Sequence, residues 1–104
     1  MTIETILPTP DLFAAKRILC IQPHYDDNDI GAAGILTRLA HSGADLIYLT
    51  VTDDLMGVVD ETLSSERAAE ALKRDQFAAA QRVGVREQIW LGYPDAGEYG
   101  YFAV

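Results

Sequence analysis

Basic residues are scarce in this chain. Eight Lys and Arg stand against sixteen Asp and Glu, for a formal net charge of −8. That balance argues against nucleic acid or an anionic lipid surface as partner, because both are captured through Lys and Arg. Cysteine is almost missing. The single Cys20 excludes an internal disulfide and fits a reducing, cytoplasmic setting. It lies in the apolar run Ile18-Leu19-Cys20-Ile21, so it reads as a small core residue rather than a nucleophile. No apolar run approaches the ~18 residues that would span a membrane. The opening Met1-Thr2-Ile3-Glu4-Thr5 has no basic stretch followed by an apolar one, so no signal peptide is read there. A glycine-rich phosphate loop is also lacking. Gly31 and Gly34 follow an acidic loop that would repel a pyrophosphate. There is no internal repeat and no low-complexity stretch.

What is present suits one small domain. The chain has 104 residues, 49% of them apolar, a size that buries roughly two-thirds of the surface its unfolded form exposes. Residues 1–10 carry two prolines and read as an irregular lead-in, after which Asp11 caps a short helical turn through Ala15. Arg17 to Ile21 reads as a strand. Ile30 to Ser42 reads as a helix with Asp29 as N-cap, Gly43 as its stop and an apolar face of Ile30, Ile35, Leu36, Leu39 and Ala40. Leu46 to Thr52 is nearly continuous β-branched, apolar and aromatic sequence, the pattern of a strand buried on both faces of a parallel sheet. Ser64 to Val83 predicts a second helix, with Leu72, Ala79, Ala80 and Val83 on one face and Gly84 at its end. Glu87 to Leu91 predicts a third strand, which takes Trp90 into the core. Strand, helix, strand, helix, strand is a parallel α/β arrangement.

The polar clusters follow that frame. Pro23-His24-Tyr25-Asp26-Asp27-Asn28-Asp29 places one imidazole and three carboxylates at a strand-to-helix junction. Carboxylates this close repel one another, and a divalent metal ion is the natural counter-charge. Thr52-Asp53-Asp54 ends the second strand and Gly92-Tyr93-Pro94-Asp95 the third. Ligands of open parallel sheets bind beyond the carboxyl ends of the strands, so all three clusters are expected on one edge. Taken alone, each has a plainer reading. The heptad could simply cap a helix, Asp53-Asp54 could be a solvated turn, and Tyr93-Pro94-Asp95 an ordinary one.

Together the clusters carry a resemblance. Pro23 to Gly31, with Gly34 and a helix after it, resembles the His-Pro-Asp-Asp-Glu signature of the LmbE-like (PIG-L) family of zinc-dependent N-acetylglucosaminyl deacetylases. Thr50-Val51-Thr52-Asp53 with Gly57, Ala78-Ala79-Ala80 with Val83-Gly84-Val85, and Leu91-Gly92-Tyr93-Pro94-Asp95 with Gly97 resemble later segments in the family's order, so the likeness covers residues 17–98. It implies a Rossmann-like three-layer α/β/α fold with a parallel sheet, present here as an incomplete N-terminal half. It also implies removal of an N-acetyl group from an N-acetylglucosamine-type sugar or conjugate. By the family pattern His24 and Asp27 are zinc ligands, Asp26 is the general base, and Asp53, Asp54 and Asp95 line the rim, with Asp95 the best substrate contact. Zinc takes imidazole nitrogen and carboxylate oxygen and acidifies water, which suits amide hydrolysis.

The chain also departs from the pattern. Tyr25 stands where the family has proline and Asn28 where it has glutamate, while Leu72 and Asp75 stand where the second helix usually carries arginine and glutamate. The family's third zinc ligand is a histidine from a His-x-x-His type segment beyond residue 104. The second histidine here, His41, is too far along its helix to share a metal with His24 and reads as solvated. Residues 1–104 are therefore expected to be the N-terminal part of a deacetylase domain, inactive by themselves, with uncovered sheet edges and apolar faces that favour self-association. The alternative is a non-catalytic α/β module for assembly or carbohydrate binding.

Overall fold

The structure, a computed structural model, describes residues 2–58 and 60–95. Gly97, Glu98, Tyr99 and the closing segment Tyr101 to Val104 lie outside the described residues. The lead-in is more ordered than its prolines suggest. Ile3–Ile6 forms a single helical turn, α1, with no buried residue. The 3-10 turn Leu12–Ala14 follows, and the Asp11 side chain accepts from the Phe13 N–H as expected.

Three strands then alternate with two helices: β1 (Arg17–Gln22), α2 (Asp27–His41), β2 (Asp45–Thr52), α3 (Ser65–Val83) and β3 (Glu87–Tyr93). The sheet is wholly parallel in the order β1-β2-β3. Arg17 pairs with Asp45 at one end and Gln22 with Thr50 at the other. Between β2 and β3 the register slips between Thr50 and Thr52. The strands outrun their expected ends, with β1 reaching Gln22 and β3 reaching Tyr93.

Both helices pack on one face of the sheet. Cys20, Leu36, Leu39, Leu46, Tyr48, Ala80 and Val83 form the buried apolar cluster there. Gly84 ends α3 at φ 102°, and a Cβ on it would lie 2.9 Å from the Ala40 Cβ, so both the backbone angle and the α2–α3 contact call for glycine. The other face of the sheet is apolar but open, with Leu19 53%, Ile21 63% and Leu91 49% exposed. The described residues thus build the sheet and one helical layer of the implied three-layer sandwich. They do not bury β2 equally on both faces. Its Leu46, Tyr48 and Thr50 are buried, while the alternate residues are half-buried.

Two expectations for α2 are corrected. The helix starts at Asp27 with Asp26, not Asp29, at the N-cap position, and Asp26 makes no side-chain cap bond. Ile30 is not on the packed face; it is 79% exposed. At about 3.6 residues per turn it lies nearly opposite the buried Leu39.

Candidate functional site

The carboxyl ends of all three strands meet around His24. Thr52 donates both its N–H and its hydroxyl to the Pro23 carbonyl, at 3.1 and 2.8 Å, which ties the end of β2 to the acidic loop. The Asp53 N–H donates to the Tyr93 carbonyl and ties the end of β2 to β3. Asp54 then takes the left-handed conformation at φ 56°, which Asp tolerates better than most residues. That turn sends the Asp54 carboxylate back toward the loop, where it accepts from the Tyr25 N–H at 3.4 Å. The Asp53 carboxylate instead accepts the Leu55 N–H at 3.1 Å and caps its own turn.

His24 stands between acids on two sides. Its Nε2 lies 2.9 Å from Asp95 Oδ1, and its Nδ1 lies 3.6 Å from Asp27 Oδ2. The same Asp27 oxygen accepts the His24 backbone N–H at 2.8 Å. His24, Asp54 and Asp95 each offer one ligand atom, and these atoms all lie within 4.8 Å of one another. Imidazole nitrogen with carboxylate oxygen is a donor set that suits zinc, so the residues present fit a divalent ion. The sequence expected His24 and Asp27 as metal donors. The structure keeps Asp27 against His24, but the ligand atoms that converge are those of His24, Asp54 and Asp95, without Asp27.

The electrostatics follow from this packing. The Asp95 hydrogen bond raises the His24 pKa above its usual value, against a smaller opposing effect of burial. Burial raises the Asp54 carboxyl, and nearby Asp26 and Asp95 add to the rise. Burial likewise raises Asp29, which accepts a hydrogen bond from the Tyr48 hydroxyl at 3.2 Å.

Beside the cluster lies a cavity of about 270 Å³. Its acidic wall is Asp26, Asp29, Asp54 and Asp75, and its apolar wall includes Tyr25, Leu72 and Ala79. Asp26 therefore faces a half-open pocket that shares Asp54 with the His24 cluster. Leu72 and Asp75, the two departures on the second helix, both line it. Tyr25 is buried, and it supplies an N–H that a proline there would lack. Asp95 is buried against His24, whereas Asp53 is not among the cavity's lining residues.

Several residues here gave little signal in the sequence. Gln22, Thr50 and Gln76 are buried and hydrogen-bonded to one another. A glutamine at a strand end or on a helix reads as surface, and its burial shows only once its partners are placed. Trp90, expected in the core, is half-buried, donates to Gln76 and carries Lys73 Nζ 5.3 Å above its ring. No helix among the described residues is long and apolar enough to cross a membrane.

Comparison with known proteins supplies the context for this geometry. Residues 19–101 match the family described as PIG-L: GlcNAc-PI de-N-acetylase. The chain is 36% identical over 80 residues to a diacetylchitobiose deacetylase of Thermococcus kodakarensis, covering 77% of this chain and 30% of that protein. It is 31% identical over 88 residues to a 1D-myo-inositol 2-acetamido-2-deoxy-alpha-D-glucopyranoside deacetylase of Kineococcus radiotolerans, covering 81% of this chain and 24% of that protein. Among solved structures, the N,N'-diacetylchitobiose deacetylase from Pyrococcus horikoshii superposes with a TM-score of 0.76 at 39% identity, covering 79% of this chain and 31% of that one. The chain thus spans less than a third of the length of these relatives.

Proposed function

The chain belongs to the PIG-L family, and from that premise we propose that it is the N-terminal part of a zinc-dependent hydrolase that removes the N-acetyl group of an N-acetylglucosamine-type sugar or conjugate. The observation that carries the reading is the meeting of His24, Asp54 and Asp95 within 4.8 Å, beside a cavity that Asp26 lines. The relatives deacetylate N-acetylated amino sugars by name, and the family match, residues 19–101, includes this edge of the sheet.

In this reading His24 and Asp27 hold the metal, and the geometry supports Asp54 and Asp95 as further or alternative oxygen donors. A bound divalent ion would polarise the amide carbonyl and lower the pKa of water. Asp26, whose carboxylate makes no cap bond, takes a proton from the attacking water. The water oxygen bonds to the carbonyl carbon, the C–N bond breaks, and Asp26 returns the proton to the departing amine. Acetate and a free amino sugar result. Asp95 and Asp53 are the proposed substrate contacts, with Asp95 placed beside His24.

The cavity also bears on the substrate. Among the described residues four carboxylates and no Lys or Arg line it, so an uncharged saccharide is favoured over one bearing a phosphate at this point. The open apolar face of the sheet supports association with further protein, a second copy included.

Zinc titration of the chain beside His24→Ala, with binding of N-acetylglucosamine oligosaccharides followed in parallel, tests the reading. Zinc binding near one ion per chain, weakened at least about tenfold in His24→Ala, is expected. Equal zinc binding by both proteins would remove the metal assignment. Saccharide binding without zinc binding would favour the non-catalytic module.

A further inference from the structure

The polar half of the buried layer beneath the site forms one directed chain of hydrogen bonds. The Trp90 indole N–H donates to Gln76 Oε1. Gln76 Nε2 donates to Thr50 Oγ1 at 2.9 Å. From the other side, Gln22 Nε2 donates to the same oxygen at 2.9 Å. Gln22 Oε1 accepts the Asn28 backbone N–H at 2.9 Å, and Asn28 Nδ2 returns to the Cys20 carbonyl at 3.2 Å.

The ends of this chain decide its direction. An indole N–H and a backbone N–H can only donate, so each glutamine must turn its oxygen toward that end. Both amide nitrogens are then left facing Thr50, whose hydroxyl oxygen has the two lone pairs to accept them. Gln22, Thr50 and Gln76 are 0%, 1% and 3% exposed, so water cannot stand in for a missing partner, and an unpaired group there is costly.

One link reaches the site. Asn28 lies in the first turn of α2, where N–H groups have no partner within the helix. The residue at the N-cap position, Asp26, does not fill that role with its side chain. Gln22 fills it from the last position of β1. Asp27 is held in turn by the His24 backbone N–H. With the first turn capped from the strand, the Asp26 carboxylate is left facing the cavity.

We propose that Gln22, braced through Thr50 by Gln76 and Trp90, is a positioning residue of this centre: it caps α2 in place of Asp26 and so holds Asp26 and Asp27 in their working arrangement. The inference rests on the reading of Asp26 and Asp27 given above, but its structural half can be tested without metal or substrate.

Gln22→Met keeps the length of the side chain and removes the cap. Gln22→Glu keeps an acceptor for the Asn28 N–H. Gln76→Met cuts the brace at its far end, and it serves if Gln22→Met does not fold. Leu39→Ala is the control, since it weakens the apolar core away from the site. Hydrogen exchange of the Asn28 amide and zinc affinity are the two readouts. In Gln22→Met the Asn28 amide is expected to exchange about tenfold faster, with the rate restored in Gln22→Glu. Zinc affinity is expected to fall ~10–100-fold in Gln22→Met, the usual effect of losing a group that orients a metal ligand. In Gln76→Met both effects are present but smaller, and in Leu39→Ala neither occurs. Unchanged exchange and unchanged affinity in Gln22→Met, with only a lower melting temperature, would overturn the proposal. So would failure of Gln22→Glu to restore the exchange rate. If the unaltered chain binds no zinc, the exchange data alone decide whether Gln22 positions the loop.

Discussion

The layer between the sheet and its two helices has two halves that are equally dry and differently held. Toward the amino ends of the strands, Leu46, Tyr48, Leu39 and Ala80 are at most 1% exposed and pack as an apolar cluster. Toward the carboxyl ends, Gln22, Thr50 and Gln76 are just as buried, yet they are joined by hydrogen bonds. Dispersion and hydrophobic burial are non-directional, so the first half sets how firmly the helices stay on the sheet. Hydrogen bonds are directional, so the second half sets where the loop from His24 to Asp27 points. Stability and site geometry are thereby assigned to neighbouring parts of one core.

That division can be broken from either side. Leu39→Ala in the apolar half should destabilise most, by about 2–5 kcal/mol as is usual for a buried leucine. Denaturant unfolding would measure it, and zinc affinity should not move once the protein is folded. Thr50→Val removes the shared acceptor in the polar half and leaves two buried amide groups short of a partner. It should cost about 1–3 kcal/mol, and it should be non-additive with Gln22→Met because the two residues belong to one network. Additive effects would mean that the two glutamines are held independently.

The smallest effect concerns pH. In metal-free protein the raised His24 pKa means that the folded state holds its proton more tightly than the unfolded chain does. The Asp95 contact then adds its full stability below the ordinary histidine value of 6.5 and loses it as pH rises through the folded value. Asp54 and Asp29, raised by burial, act with the same sign at lower pH: they fit the fold best when protonated and penalise it once ionised. Stability should therefore fall as pH rises, through two separate limbs. Asp95→Asn should flatten the upper limb and, by removing one of the charges that raise Asp54, soften the lower one, measured as urea midpoints across pH. The His24 side chain is 38% exposed, so solvent screens this contact and the limb should be shallow. A stability that rises with pH over that limb would show that the histidine is held neutral instead.

Much of this was legible from residue order. The alternation of strands and helices, the stop at Gly84 and the gathering of three polar segments on one edge follow from local patterns and from the rule for open parallel sheets. His24 and Asp95 were legible because each sits just past a strand. Three matters were not. That Asp54 lines the cavity and Asp53 does not depends on the left-handed turn at Asp54. The outward Ile30 depends on which stripe of α2 meets the sheet, and the buried one runs through Leu36 and Leu39. Burial of Gln22 and Gln76 depends on each finding Thr50, 28 and 26 residues away.

By itself the sequence determined the parallel α/β order, the acidic charge and the motif that ties the chain to its family, since these rest on residue type and short-range periodicity. Only the tertiary structure decided which carboxylates meet His24, which glutamines are buried and which face of the sheet the helices cover. Those outcomes depend on contacts such as His24 with Asp95, 71 residues apart. A residue's chemistry says what it can bond to, and the packed chain decides which partner is within reach.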